Sequence, residues 1–268
     1  MKTGVILTTY NRPDALRAAL EGYAAQDTHG FELIVADDGS TAETRELVDR
    51  YAVRAPFALR HVWQEDRGFR PGAARNRALA ATHADYLIFS DGDCVPPAFF
   101  VRRHLALAQP RHFLAGNRVL LSEDFTAKVL ARELPIHSWS TARWVGAWLN
   151  RDINRALPLL RLPDVFRSRA GAPWEGVKTC NFSAWRTDLV HANGFDERYS
   201  GWGLEDSDIV VRLLHAGVRH KSARFAAPVF HLWHRENDRS LLAENRERLE
   251  EILASGRVVA IEGLDRHS

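Results

Sequence analysis

An alternation in the first hundred residues constrains this chain more than any other feature. Short β-branched apolar runs (Gly4 to Thr9, Phe31 to Ala36, Ala58 to Trp63, Asp85 to Ser90) take turns with segments of helical periodicity (Pro13 to Gln26, Thr41 to Arg54, Gly72 to Thr82). Pro13 suits the first turn of a helix, where a missing N–H costs nothing, and Ser40 with Glu43 makes a capping-box pattern before the second helix. Strand and helix repeated this way specify βαβ units, hence an α/β fold with a mostly parallel sheet flanked by helices. Side chains that do chemistry in such sheets gather beyond the carboxyl ends of the strands. Thr8, Asp37, Asp38, Asp91 and Asp93 are therefore expected on one rim, although separate runs deliver them.

The pattern breaks from Phe125 to Arg169. Trp139, Trp144 and Trp148 lie there among Arg132, Arg143, Arg151, Arg155, Arg161 and Arg167, which reads as a helical insertion over residues 123–170. Apolar aromatics with flanking arginines suit a membrane interface or a lipid-linked acceptor; the competing reading is that the tryptophans pack on the sheet. Regular patterning returns from Val177, with a helix from Leu204 to Leu214, a strand near Phe225 to Leu232 and a charged helix from Arg239 to Ala254. Without repeats or low-complexity linkers, residues 1–268 are expected to form one domain, divided into 1–122, the insertion and 171–268.

A net charge of +2 is too small an excess to imply nucleic acid as a partner. The two cysteines, Cys94 and Cys180, form no CxxC pair, so no disulfide framework or thiolate zinc site is indicated, and a reducing compartment is expected. No stretch approaches the roughly 20 apolar residues of a spanning helix. The expectation is a cytoplasmic protein, soluble or held peripherally at the inner face of the membrane.

Four constellations carry chemistry. Asp91-Gly92-Asp93 follows the apolar run YLIFS; two carboxylates at a strand exit can hold Mg2+ or Mn2+ and a ribose or phosphate oxygen, or simply form a turn. In VADDGS, an aspartate at the strand exit can accept a nucleobase N–H, with Thr8 beside it, whereas a turn and helix cap explain Gly39 and Ser40. In GWGLEDSD, Glu205, Asp206 and Asp208 open a helix, where the macrodipole favours acids. A glycine-framed Trp202 ahead of them resembles a stacking platform beside a general base. In HLWHRE, His231 or His234 could complete a cation's shell begun by Asp93. Arg67, Arg70 and Arg75, around a helix start, would favour phosphates.

In order and spacing, TTYNRP, VADDGS, GAARNRAL, DYLIFSDGDC, GFDERYSGWGLEDSD and HLWH resemble the GT-A-fold glycosyltransferases of the inverting, family 2-like group. The last two motifs also look like those of galactosyltransferase- and chondroitin-synthase-type enzymes. The resemblance implies a nucleotide-sugar donor, a glycan or lipid-linked glycan acceptor and a Mn2+ or Mg2+ cofactor. It implies that Thr8 and Asp38 contact the base, with Tyr10, Asp37, Arg67, Arg75 and Gly92 around the donor. Asp91 would hold the ribose and Asp93 the metal, joined by His231 or His234. Asp206 would be the catalytic base, Glu205 an acceptor contact, and Trp202 would close over the sugars. The insertion is not a general feature of that group, and Ser207 stands where its sequences often carry another acid.

DGDCV also fits the nucleophile motif of haloacid-dehalogenase-like phosphatases, but there the motif ends the first strand rather than the fourth. A non-catalytic sugar-binding protein is the other rival. No GxGxxG after a strand and no Walker sequence supports a dehydrogenase or an NTPase.

Overall fold

A computed structural model describes residues 1–160, 162, 164, 167, 174–235 and 238–267. The first half runs β1 (Thr3–Thr9), α1 (Pro13–Ala24), β2 (Phe31–Asp37), α2 (Ala42–Ala52), β3 (Ala58–Trp63), α3 (Pro71–Ala80) and β4 (Tyr86–Asp91). There follow β5 (Cys94–Val95), α4 (Phe100–Leu107), β6 (His112–Ala115), β7 (Arg118–Leu120), α5 (Glu123–Ala131) and α6 (Thr141–Leu149). The last part comprises β8 (Asn181–Trp185), α7 (Arg186–His191), α8 (Glu205–His215), β9 (Arg219–Ser222), β10 (Val229–His231) and α9 (Leu242–Ser255).

Seven strands form one sheet in the order β3-β2-β1-β4-β8-β6-β9. The first four are mutually parallel, as the βαβ pattern requires, and β8 runs antiparallel to both β4 and β6. Alternation along β1 sends Val5 and Leu7 into a core shared with Leu16, Leu20 and Tyr23 of α1. It sends Ile6 to the opposite face, against Ala74, Ala78 and Leu79 of α3. Covered on both faces, the central strands are continuously apolar, whereas β3 at the edge carries partly exposed Arg60, His61 and Trp63. Pro13 and Pro71 both open helices. The expected capping box does not form. Thr41 is the N-cap and makes no side-chain cap bond, while Ser40 Oγ accepts from the Asn11 amide at 2.8 Å, tying the first two strand exits together.

The insertion is helical, with α5 and α6 capped by the Ser122 and Ser140 hydroxyls. Its tryptophans divide. Trp144 stacks on Phe230 at 3.9 Å and Trp139 packs beside it, so both belong to a core, while Trp148 is 45% exposed. Arg167 is not part of a basic face: it is buried and donates to the carbonyls of Leu162, Ser222 and Arg224. Arg161 lies outside the described residues, as does the segment 168–170. A small second sheet, β5-β10-β7, fastens the insertion to the main body. Among the described residues no helix is long and apolar enough to cross a membrane.

Candidate active site

The strand order reverses between the parallel strands β1 and β4, and the crevice beyond their carboxyl ends is where an open α/β sheet receives ligands. Parallel register sets Thr8 opposite Asp91 and Thr9 opposite Asp37. The Gly92 amide donates to the Thr8 carbonyl at 2.7 Å. A Cβ at Gly92 would meet Thr9 Oγ1 at 3.0 Å, so this close approach of two loops favours glycine.

The two neighbouring aspartates at the β2 exit do different work. Asp37 is fully buried; Oδ1 accepts from the Ser40 amide and Oδ2 lies 2.8 Å from His61 Nε2. It shapes the turn and does not face the crevice. Asp38 accepts from Gln64 Nε2 and from the Arg70 amide, both at 2.6 Å. Burial nonetheless pushes its carboxyl up to about 6. Gly39, at φ +97°, has no room for a side chain, because a Cβ there would sit 2.5 Å from the Asp66 backbone. Tyr10 stands at the mouth, its hydroxyl donating to Asp66 at 3.0 Å. Arg67 points into solvent and pairs with Glu65 at 2.7 Å rather than with a residue of the crevice.

Asp93 meets both imidazoles. His234 Nε2 lies 3.3 Å and His231 Nε2 3.8 Å from its Oδ2. His231 arrives because β10 pairs with β5, setting it opposite Cys94. The Leu232 amide donates to the Asp93 carbonyl at 2.8 Å and locks that register. Burial lowers the His231 pKa, which favours the neutral, ligating imidazole. Asp93, His231 and the Cys94 thiol bring one ligand atom each within 4.8 Å of one another, and His234 approaches Asp93 without joining that group. The carboxylate oxygen and imidazole nitrogens are donors that fit a Mn2+-class cation. Cys94 and Cys180 are free and buried beneath this rim.

Arg75, 4% exposed on α3, joins the two halves of the rim. Its Nε donates to Thr8 Oγ1 at 3.1 Å; Nη2 reaches Asp91 and Nη1 reaches Glu205, each at 3.3 Å, with Asp206 at 3.6 Å. Three carboxylates thus share one guanidinium. Burial, then the charge of Asp206, pushes Glu205 up to about 7 against the pull of Arg75. Asp206 is less enclosed, its Oδ1 accepting from Thr179 Oγ1. Asp208 turns inward to a fully buried pair with Arg212 at 2.6 Å, a structural role that the first-turn pattern alone does not reveal. Ser207 is buried as well. Trp202 sits between Gly201 and Gly203, which take φ of +69° and +107°. Asn245, fully buried on α9, donates to the carbonyls of Ser200 and Gly203, so the platform is fastened from beneath. The Arg239 guanidinium lies 4.5 Å over the Trp202 ring.

The family model for glycosyl transferase family 2 matches residues 4–168, more than half of the chain. The chain belongs to glycosyl transferase family 2. A second model, the N-terminal domain of galactosyltransferase, matches residues 167–235 of this family 2 chain, so two family patterns meet at the end of the insertion. The validoxylamine A glucosyltransferase of Streptomyces hygroscopicus subsp. jinggangensis is 32% identical over 226 residues, covering 80% of this chain and 51% of that protein. The chondroitin synthase of Escherichia coli is 25% identical over 232 residues, 83% of this chain and 33% of its own. This chain thus spans about half of the first of these curated relatives and a third of the second. Among solved structures, S. aureus TarS 1–349 in complex with UDP-GlcNAc superposes with a TM-score of 0.66 at 17% identity. The superposition covers 100% of this chain and 69% of that one, a likeness of fold, the GT-A arrangement.

Of the residues singled out in the sequence, Thr8, Asp91, Asp93, Glu205, Asp206, His231 and His234 come together with Arg75; Arg67 and Asp37 do not join them. Sequence reasoning missed Gln64, Thr179 and Asn245. Each is an ordinary polar residue whose partner is remote in the chain; the only signal for Thr179 is its place just before the strand-like run NFSAW.

Proposed function

We propose that this chain is an inverting, cation-dependent glycosyltransferase. It moves a sugar from a UDP-sugar to a hydroxyl of a glycan or lipid-linked glycan in bacterial polysaccharide or lipopolysaccharide synthesis. The observation that carries this reading is the bridge made by Arg75 between Asp91 on the donor side and the Glu205–Asp206 pair, with Asp93 and two imidazoles alongside. Membership of family 2 displaces the phosphatase alternative.

Asp38 and Thr8 read the base, and Tyr10 flanks it. Asp91 takes the ribose, Gly92 lets the diphosphate approach the backbone, and Asp93 with His231 and His234 would hold Mn2+ or Mg2+. The cation supplies Lewis-acid stabilisation of charge on the departing diphosphate. Asp206 removes the acceptor hydroxyl proton as that oxygen bonds to the anomeric carbon. The bond to the diphosphate oxygen breaks on the opposite face, inverting the centre. Glu205 contacts the acceptor, and a sugar ring displaces Arg239 from the face of Trp202. Residues 1–122 form the donor half and 171–268 the acceptor half of one domain.

The insertion supports the lipid-linked acceptor and a peripheral place at the inner membrane face. Exposed Trp148, Leu149, Leu157 and Leu160 adjoin in sequence a cavity of about 310 Å³ lined by Trp139, Trp144, Pro158, Leu159 and Phe225. UDP titration with and without Mn2+ tests the donor half. The cation is expected to tighten UDP binding by about tenfold or more, and Asp93→Ala to abolish that gain. Equal UDP affinity with Mn2+ and with chelator would contradict the reading.

A further inference from the structure

The β4–β8 pairing has a chemical consequence at its end. β4 delivers Asp91, and its preceding residue, Ser90, is paired antiparallel with Asn181, the first residue of β8. Ser90 Oγ also donates to the Cys180 carbonyl at 3.1 Å. The residue before Cys180 is Thr179, almost fully buried, and its hydroxyl donates to Asp206 Oδ1. The same Oδ1 lies 3.6 Å from Arg75 Nη1. One oxygen of this carboxylate is therefore engaged by a hydroxyl and faced by a guanidinium. Among the described residues no hydrogen bond to Oδ2 joins them, and the side chain keeps 14% exposure at the rim.

We propose that Thr179 is the positioning residue for the base: it fixes Asp206 through Oδ1 and leaves Oδ2 as the atom that takes the acceptor proton. A carboxylate held by one charge-assisted bond loses its freedom to rotate about χ2, and a general base works only within reach of the proton it abstracts. The tether through Cys180 and Ser90 sets that oxygen relative to Asp91 on the donor side, so donor and base share one hydrogen-bonded frame. The inference rests on Asp206 being the base.

The test uses the full chain, Mn2+ and the nucleotide sugar hydrolysed fastest in a donor panel, with water as acceptor. Thr179→Val keeps the shape and removes the donor; it is expected to lower kcat by about 10- to 100-fold with KM and UDP affinity unchanged. Thr179→Ser restores the hydroxyl and is expected to recover most of that rate. In an Asp206→Asn background, Thr179→Val should cost nothing further. If valine does not fold, Thr179→Ala carries the same readout. Wild-type kcat in the hydroxyl-free variant, an equal loss in Thr179→Ser, or a loss confined to UDP affinity overturns the proposal. Should Asp206→Asn itself leave hydrolysis intact, the base assignment fails and this inference with it; a loss in Asp206→Asn without one in Thr179→Val sinks the inference alone.

Discussion

Glu205 and Asp206 are adjacent in sequence and share Arg75, yet their surroundings assign them different work. Glu205 is the more enclosed, and its carboxyl is pushed up to about 7 by burial and by its neighbour's charge. Near the ordinary 4.5 the group is half protonated in the unfolded chain and still protonated in the folded one. From there to about pH 7 the folded protein holds a proton that the unfolded chain has lost, so Glu205 erodes stability across that window and adds no further loss above it. Glu205→Gln removes the titration and keeps an oxygen to accept from Arg75. Relative to wild type it should be more stable at pH 8 than at pH 5, by on the order of 1–3 kcal/mol, read from denaturant midpoints. A difference that does not change with pH would contradict this. At this scale the meeting of Asp93 with His231 and His234 was legible in the sequence, because each stands at or just beyond the end of a strand-like run. Thr179, Gln64 and His61 were not, since each is defined by a partner 24 to 27 positions away and by no feature of its own type.

The helical elements carry both a packing and a surface role in the insertion. On α6, Trp144 and Ala147 face Phe230 and the core, while Val145, Trp148 and Leu149 face outward. Trp144→Ala should therefore cost about 3–5 kcal/mol, and Trp148→Ala about 0.5 kcal/mol or less, in chemical denaturation. Equal losses would mean that the outward face is covered in the folded protein. Sequence periodicity found α1, α2, α3 and the first four strands to within one or two residues at every end, and of the insertion it gave the helical character without the bounds of its helices. It missed β5 and β7, because strands of two or three residues have no period to detect, and those strands, with β10, are what bring His231 to Asp93.

For the molecule as a whole, the alternation of strand and helix specifies the parallel half of the sheet, because a βαβ crossover leaves little other choice. The antiparallel entry of β8 was not legible: nothing in NFSAW encodes its direction, which shows only in its pairing with β4 and β6. That entry brings the second half of the chain against β4 and thus sets Asp206 across Arg75 from Asp91. The central claim is that this crevice is a transferase site with Asp206 as its base. Hydrolysis of nucleotide sugars in the presence of Mn2+, wild type against Asp206→Asn, tests it most directly. At least one donor should be turned over by the wild type and about 100-fold or more slowly by the variant, with UDP affinity retained. Equal rates in the two proteins, or no donor bound or hydrolysed by the wild type, would contradict the account.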